Sequence, residues 1–244
     1  MAYTTINKST DYFNTKLYTG NGNSNHAQTG VGFQPDLLWN KSRSSGDNHL
    51  LFDAVRGITK TISSDLSSAE ATRDSTFLTS FDSDGFTVGS NGNVNGSGTT
   101  FANWCWKANG TGSANTDGSI TSTVSANTTS GFSIVSYTGN QTSGATVAHG
   151  LGSGSKPAMM IFKERNGTTG WVVYHHKNTS APATEYLQLN SSNATGDYAG
   201  YFNDTEPTSS VFTLGNDTGI NQSGDTYIAY CFAEKKGYSK FGSY

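Results

Sequence analysis

The chain has 244 residues, a formal net charge of −3 and only 14% charged residues. Its 15 Lys and Arg residues form no basic cluster of the kind that neutralises phosphates, so we expect no nucleic-acid partner. The longest apolar run, AMMIF at 158–162, is too short to cross a bilayer, and the first residues show no signal-peptide pattern. We therefore expect a soluble protein made in a cytoplasm, without membrane insertion.

The first half of the chain reads as short β-strands separated by turns rich in Gly, Asn and Ser. The segments predicted as strands lie at 13–21, 34–39, 85–89 and 99–108, and a short β-branched stretch at 3–9 precedes them. DSDG at 82–85 is interpreted as a tight turn rather than half of a calcium loop, because no Glu follows at the twelfth position. Only DLSSAEATRD at 65–74 is a candidate for a short helix.

The tract ANGTGSANTDGS at 108–119 has the composition of a surface connection. The second half then returns to the same pattern of short strands, predicted at 119–125, 132–140, 156–162, 170–177, 211–215 and 225–234. Within it, MMIFKER and GWVVYHHK flank NGTTG, which predicts a hairpin.

Landmarks of the first half recur in order in the second half. FNTKLYTGN at 13–21 matches FSIVSYTGN at 132–140, and GFTVG at 85–89 matches VFTLG at 211–215. Each of these GFTVG-like phrases is followed, at the same distance, by a strand that carries a cysteine. We interpret this order as a tandem duplication.

The predicted fold class is therefore all-β, with two tandem β-sandwich modules of jelly-roll type related by internal duplication. The first module is placed at 1–108, the linker at 109–118 and the second module at 119–244.

FANWCWK and YIAYCFAE are the two cysteine strands. Strand alternation places Phe101, Asn103 and Cys105 on one face, with Ala102, Trp104 and Trp106 on the other. Because both faces are mostly apolar, each strand is expected in the middle of a layered structure. Cys105 and Cys231 are predicted to be packing residues rather than redox or nucleophilic groups.

No motif predicts catalysis, a metal site or a cofactor. The close histidine pair, His175 and His176, lies on a predicted strand whose neighbours point to opposite faces. A glycosidase would need two paired carboxylates, and nothing in the sequence pairs the candidates, which are Asp36, Glu70, Glu164, Glu185 and Glu206.

Aromatic residues next to Asn, Asp and Gly loops are how β-sandwiches often hold sugar rings. Trp171, Tyr198 and Tyr201 are therefore the candidate glycan-binding residues. Trp104 and Trp106 are interpreted as core residues.

Several phrases together resemble a widespread family of tandem-repeat virion proteins of tailed, often marine, bacteriophages. They include GVGFQPDLLW, TSFDSDGFTVGSNGNVNGSGTTFANWCWKA, KPAMMIFKER, YFNDTEPTSSVFTLGN and GDTYIAYCFAEKKGYSKFGSY. The resemblance covers nearly the whole chain and implies lectin-like (concanavalin-like) sandwich modules in a structural or tail-fibre protein, with no catalytic residues. One departure is Asn40, where an aliphatic residue is expected.

We accordingly expect a non-enzymatic virion structural protein, as a capsid decoration, head fibre, tail fibre or spike. Its expected partners are other virion proteins, further copies of itself in a homo-oligomer such as a trimer, and a host-surface glycan. The alternative is a particle-surface polysaccharide depolymerase.

Overall fold

The computed structural model describes residues 4–243 and is all-β, as predicted. Among these residues the α-helices are single turns, and a 3-10 turn at Ser9–Asp11 precedes the first strand. The strands are β1 (Phe13–Thr19), β2 (His26–Thr29), β3 (Leu37–Ser42), β4 (Leu50–Asp53), β5 (Lys60–Ser63), β6 (Ala71–Thr72), β7 (Leu78–Asp82), β8 (Gly85–Val88), β9 (Thr100–Trp106), β10 (Ser113–Asn115), β11 (Ser122–Asn127), β12 (Phe132–Thr138), β13 (Ala145–Ala148), β14 (Pro157–Glu164), β15 (Val172–His175), β16 (Glu185–Gln188), β17 (Gly196–Asp197), β18 (Val211–Leu214) and β19 (Thr226–Ala233). The helices are α1 (Gly92–Asn95), α2 (Ala199–Phe202) and α3 (Thr218–Asn221).

The described chain forms two compact units. The N-terminal unit comprises Lys8–Leu66 and Glu70–Thr111, and the C-terminal unit comprises residues 4–7, 67–69 and 112–243. The last passage of the chain from one unit to the other, between Thr111 and Gly112, falls within the predicted linker, 109–118. No helix within residues 4–243 is long and apolar enough to span a membrane.

The N-terminal unit contains a six-stranded antiparallel sheet of order β1-β9-β3-β4-β5-β6 and a three-stranded sheet of order β2-β8-β7. Its core draws side chains from both sheets, including Leu38 and Phe52 from the larger and Phe86 and Val88 from the smaller. Burying an aliphatic or aromatic side chain of this size stabilises a fold by about 1.5–3 kcal/mol. A core shared by two sheets is consistent with a β-sandwich.

The C-terminal unit contains an eight-stranded antiparallel sheet of order β10-β11-β12-β19-β14-β15-β16-β17 and a two-stranded sheet of β13 and β18. Its core likewise combines Val135 and Met160 of the larger sheet with Val147 and Phe212 of the smaller. The predicted hairpin is confirmed, since β14 and β15 pair antiparallel around residues 165–171.

The cysteine strands occupy equivalent places in the two large sheets. Strand β9 lies between β1 and β3, and β19 lies between β12 and β14. Cys105 is opposite Leu38, Cys231 is opposite Met160, and both thiols are free and fully buried. Burial raises the pKa of each thiol to about 12, so neither is a thiolate near neutral pH. The predicted packing role is confirmed.

A buried asparagine organises one corner of each unit. In the N-terminal unit the Asn95 amide donates to the carbonyls of Gly89 and Asn23, and its oxygen accepts the Asn21 N–H. Asn221 makes the corresponding bonds in the C-terminal unit: its amide donates to Gly215 and Thr142, and its oxygen accepts the Asn140 N–H. Each asparagine is fully buried, so these bonds satisfy groups that water cannot reach.

Asn40, the predicted departure, is buried in β3. Its amide nitrogen donates to the Asn103 carbonyl oxygen of β9 at 2.8 Å, and the two residues are direct cross-strand partners. The same rung in the C-terminal unit joins Phe162 and Ala229. A polar pair therefore replaces an apolar pair at this position.

Two local predictions have different outcomes. The tight turn at DSDG is confirmed, because β7 and β8 form a hairpin in which Asp82 pairs with Gly85. The helix predicted at 65–74 is wrong. There the chain forms β6, which pairs with β5, and the Arg73 guanidinium donates to the Thr61 hydroxyl. Strand pairing overrides the local helix propensity of this Ala- and Glu-containing segment.

Candidate functional site

Three tyrosines of the C-terminal unit, Tyr186, Tyr198 and Tyr201, form a cluster that we call the tyrosine surface. The ring centroids of Tyr186 and Tyr201 are 4.7 Å apart, and those of Tyr198 and Tyr201 are 5.1 Å apart. Both pairs are edge-to-face, the arrangement that aromatic quadrupoles favour. Tyr198 is 45% exposed and the other two are half-buried, so the cluster is accessible from solvent.

Short elements with close backbone approaches position these rings. Tyr186 lies on β16 opposite Gly196 of β17, where an added Cβ would come within 2.6 Å of the Tyr186 ring. Gly200 likewise has no side chain where the Tyr198 ring lies. Helix α2 carries Tyr201 outward and buries Phe202. The two glycines therefore allow the tyrosine rings to lie against the backbone.

Asp217 adds a carboxylate to the tyrosine surface. Its Oδ1 accepts the Gly219 N–H at 2.7 Å as the N-cap of α3, and its Oδ2 accepts the Tyr198 hydroxyl at 3.1 Å. The bond to Asp217 raises the pKa of Tyr198, and burial together with this carboxylate raises the pKa of Tyr201 to about 12. Both phenols therefore stay protonated and can act as hydrogen-bond donors at neutral pH.

Trp171, the third predicted glycan-binding residue, is 0% exposed. Its backbone N–H donates to the Asn190 side chain, and its own carbonyl accepts the Leu189 N–H. A fully buried indole has no face on which a sugar ring can stack, so Trp171 is not part of the accessible surface. Its predicted partners Tyr198 and Tyr201 do lie together, and their binding of glycan stays a prediction.

A second feature of the C-terminal unit is a polar hollow of about 410 Å³. It is lined by Asn115, Asp117, Gly150, Leu151, Gly152, Ser153, Ser209 and Ser210. The buried His149 ring connects two segments that line the hollow. Its Nδ1 accepts the Leu151 N–H, and its Nε2 donates to the carbonyl of Thr208, next to Ser209, each at 3.2 Å. Burial lowers the pKa of His149 to about 4, so the ring is neutral near pH 7.

A third feature is a pocket of about 310 Å³ in which Glu206 and Glu234 both line the wall. Lys156 forms an ion pair with Glu206, while His176 and Lys177 approach Glu234 at 3.5 and 3.6 Å. The Phe241 N–H, followed by the charges of Lys177 and His176, lowers the pKa of Glu234. Glu234 is therefore an anion at neutral pH and suits a general base better than a general acid.

Within residues 4–243 no group of three or more His, Cys, Asp or Glu side chains lies close enough to hold a metal ion. Two of the carboxylates considered as catalytic candidates interact with other groups of the N-terminal unit. Asp36 accepts the Ala108 N–H at 2.7 Å, and Glu70 lies 3.3 Å from the Arg56 guanidinium. These two carboxylates therefore have structural partners that explain their positions.

The tyrosine surface, the hollow and the pocket all fall within one family domain. Residues 8–244 match DUF7483, a domain of unknown function. The chain belongs to the DUF7483 family. No curated protein and no solved structure matches this chain. The DUF7483 domain includes all residues of the tyrosine surface and both buried cysteine strands.

Sequence reasoning missed Tyr186 and Asp217. These residues are far apart along the chain from each other, and no spacing rule joins a strand tyrosine to the N-cap of a later helix. The signal for Asp217 was its local context, since Asp before a Thr-Gly turn is typical of a helix N-cap. Tyr186 had no comparable signal.

Proposed function

We propose that this DUF7483 protein is a non-enzymatic structural protein of a bacteriophage particle whose C-terminal unit presents the tyrosine surface to host-surface glycans. The glycan part rests on one observation: the exposed Tyr198 ring, hydrogen-bonded to Asp217, lies beside two further tyrosines. The particle part is supported by the resemblance of the repeated phrases to phage virion proteins. Within the particle, the protein would serve as a capsid decoration, a head fibre, or a tail fibre or spike.

The chemistry of the tyrosine surface suits a sugar. An aromatic ring packs against the C–H face of a pyranose, and an adjacent carboxylate accepts hydrogen bonds from its hydroxyls. Asp217 already accepts two protein donors, one on each oxygen, and each carboxylate oxygen has a further lone pair. Stacking and hydrogen bonding are therefore available within one small surface.

We further propose that the two units are sandwich modules of jelly-roll or lectin-like type that arose by duplication. Three features that recur in both units support this proposal: the cysteine strands, the hydrogen bonds of the buried Asn95 and Asn221, and the pairing within the small sheets. Val147 pairs with Phe212 in the C-terminal unit as Gln28 pairs with Phe86 in the N-terminal unit. Such a repeated frame fits a particle protein that associates as a homo-oligomer, such as a trimer, and with other virion proteins.

Binding to purified host-surface polysaccharide tests the glycan part. Tyr198→Ala removes the exposed ring, and we expect at least about tenfold weaker binding, measured by calorimetry or biolayer interferometry. Tyr198→Phe keeps the ring and loses only the bond to Asp217, so its loss should be smaller. Leu17→Ala is the matched control, because Leu17 is 57% exposed but lies in the other unit. Equal binding by wild type and Tyr198→Ala would contradict the proposal.

A polysaccharide depolymerase is the second candidate, favoured by the two glutamates in the 310 Å³ pocket. Glycoside hydrolysis needs one carboxyl group that stays protonated. The lowered pKa of Glu234 does not suit that role, and the other glutamate, Glu206, is engaged in an ion pair with Lys156. Release of oligosaccharides from the same polysaccharide, abolished by Glu234→Gln or Glu206→Gln, would favour the enzyme. We expect no release.

A further inference from the structure

The charged residues of the chain segment that carries the tyrosine surface are all acidic. Between Lys177 and Lys235 the sequence has no Lys, Arg or His. The acidic residues of this segment are Glu185, Asp197, Asp204, Glu206, Asp217, Asp225 and Glu234. The segment supplies β16, β17, α2, β18 and α3, so all three tyrosines and Asp217 belong to it.

Basic residues near this segment have other partners. Strand β15, which pairs with β16, ends at His175, and the His176 and Lys177 that follow it approach Glu234 at 3.5 and 3.6 Å. The Lys163 ammonium of β14 is buried and donates to the carbonyls of Glu164 and Gly167 at 2.7 and 3.2 Å. Lys156 pairs with Glu206 in the separate 310 Å³ pocket. Asp217 is by contrast in direct contact with the exposed Tyr198 ring. A ligand on the tyrosine surface therefore meets a carboxylate and electron-rich ring faces.

We infer that the tyrosine surface selects uncharged or amine-bearing sugars and rejects sugars that carry carboxylate, phosphate or sulfate groups. An ammonium group is attracted both by the Asp217 carboxylate and by the faces of the tyrosine rings. An anionic sugar meets the Asp217 carboxylate, and the segment that carries the surface supplies no Lys, Arg or His to compensate it, which is unfavourable. This inference rests on the proposed glycan function and specifies the chemical class of its ligand.

Three probes of equal length separate the charge classes: N-acetylglucosamine oligomers, their de-N-acetylated amine form and galacturonic acid oligomers. A printed array of neutral, amino and acidic bacterial glycans extends the comparison. Binding to neutral or amino members, with acidic members at least about fivefold weaker at low salt, supports the inference. The preference should shrink at high salt because exposed charges are screened.

Charge variants link the preference to this surface. Asp197 is exposed on β17, one residue before Tyr198, so Asp197→Lys reverses a charge without removing a described hydrogen bond. We expect Asp197→Lys to weaken binding of the amine probe and strengthen that of an acidic one. Asp217→Asn keeps an N-cap acceptor while removing the charge and should weaken the amine probe most. Lys16→Asp, in the N-terminal unit, is the control charge reversal.

The failures are distinguishable. Binding of acidic sugars as tight as that of neutral ones, or an Asp217→Asn protein with unchanged preference, would overturn the charge selection while leaving a glycan-binding protein. Absence of binding to every probe and to the host polysaccharide would overturn the proposed glycan function and the selection with it.

Discussion

A buried neutral histidine supports the wall of the polar hollow. His149 has no exposed surface, and its two nitrogens bridge the Leu151 N–H and the Thr208 carbonyl. This arrangement needs an unprotonated Nδ1, because a protonated nitrogen cannot accept a hydrogen bond. Burial lowers its pKa from 6.5 to about 4, so the folded protein resists protonation that the unfolded chain accepts.

The free energy of unfolding should therefore depend on pH through His149. Above pH 6.5 the ring is neutral in both states and its contribution is fully present. As the pH falls from 6.5 to about 4, the unfolded chain binds the proton first, so roughly 3 kcal/mol of stability is lost. Urea unfolding from pH 7 to pH 4 measures this loss, and His149→Gln should show a shallower decline. If the free energy of unfolding fell equally with pH in the wild type and in His149→Gln, this prediction would be contradicted.

At the scale of the element, the cysteine strands set the structure of both units. Each pairs with a strand on both sides and is mostly apolar on both faces, and the buried polar residue of β9 is Asn103, which pairs with Asn40 of β3. Because both side chains are almost fully buried, either amide left alone lacks the partner that compensates its lost hydration. The C-terminal unit avoids this dependence with Phe162 and Ala229.

A double-mutant cycle tests this rung. Asn103→Ala and Asn40→Leu should each destabilise the protein by about 1–3 kcal/mol, because each leaves one buried amide unpaired. The double variant should cost less than the sum of the two, since no unpaired amide remains. Chemical denaturation of the four proteins gives the coupling energy, and strictly additive losses would show that the pair is not coupled.

The elements that could be predicted from the sequence are those that depend on local periodicity. Alternation around Cys105 and Cys231 correctly predicts that both thiols are buried, and the Asp82–Gly85 turn follows from its residue types. The interpretation of Trp104 and Trp106 as core residues is wrong, because both are only half-buried on the opposite face of β9. The segment at 65–74 could not be predicted correctly, because its strand depends on pairing with β5. Trp171 next to a glycine loop resembles a surface aromatic, and only the packing of the sheet reveals that it is buried.

At the scale of the whole molecule, a chain with few charges and many turns forms two units with the same kinds of contacts. The candidate site belongs to the C-terminal unit alone. Tyr186, Tyr201 and Asp217 reach it from three separate elements, which is why the sequence revealed only part of it. In the proposed function, the N-terminal unit is the one that would attach to the particle.

The location of the protein tests the central proposal most directly. The proposal implies that a phage encodes this chain, so purified particles of that phage can be analysed by quantitative mass spectrometry together with cryo-electron microscopy. The proposal predicts a fixed copy number per particle and density for the two units on the capsid or tail surface, with the tyrosine surface facing outward. A protein found in the infected-cell lysate but absent from purified particles would contradict it.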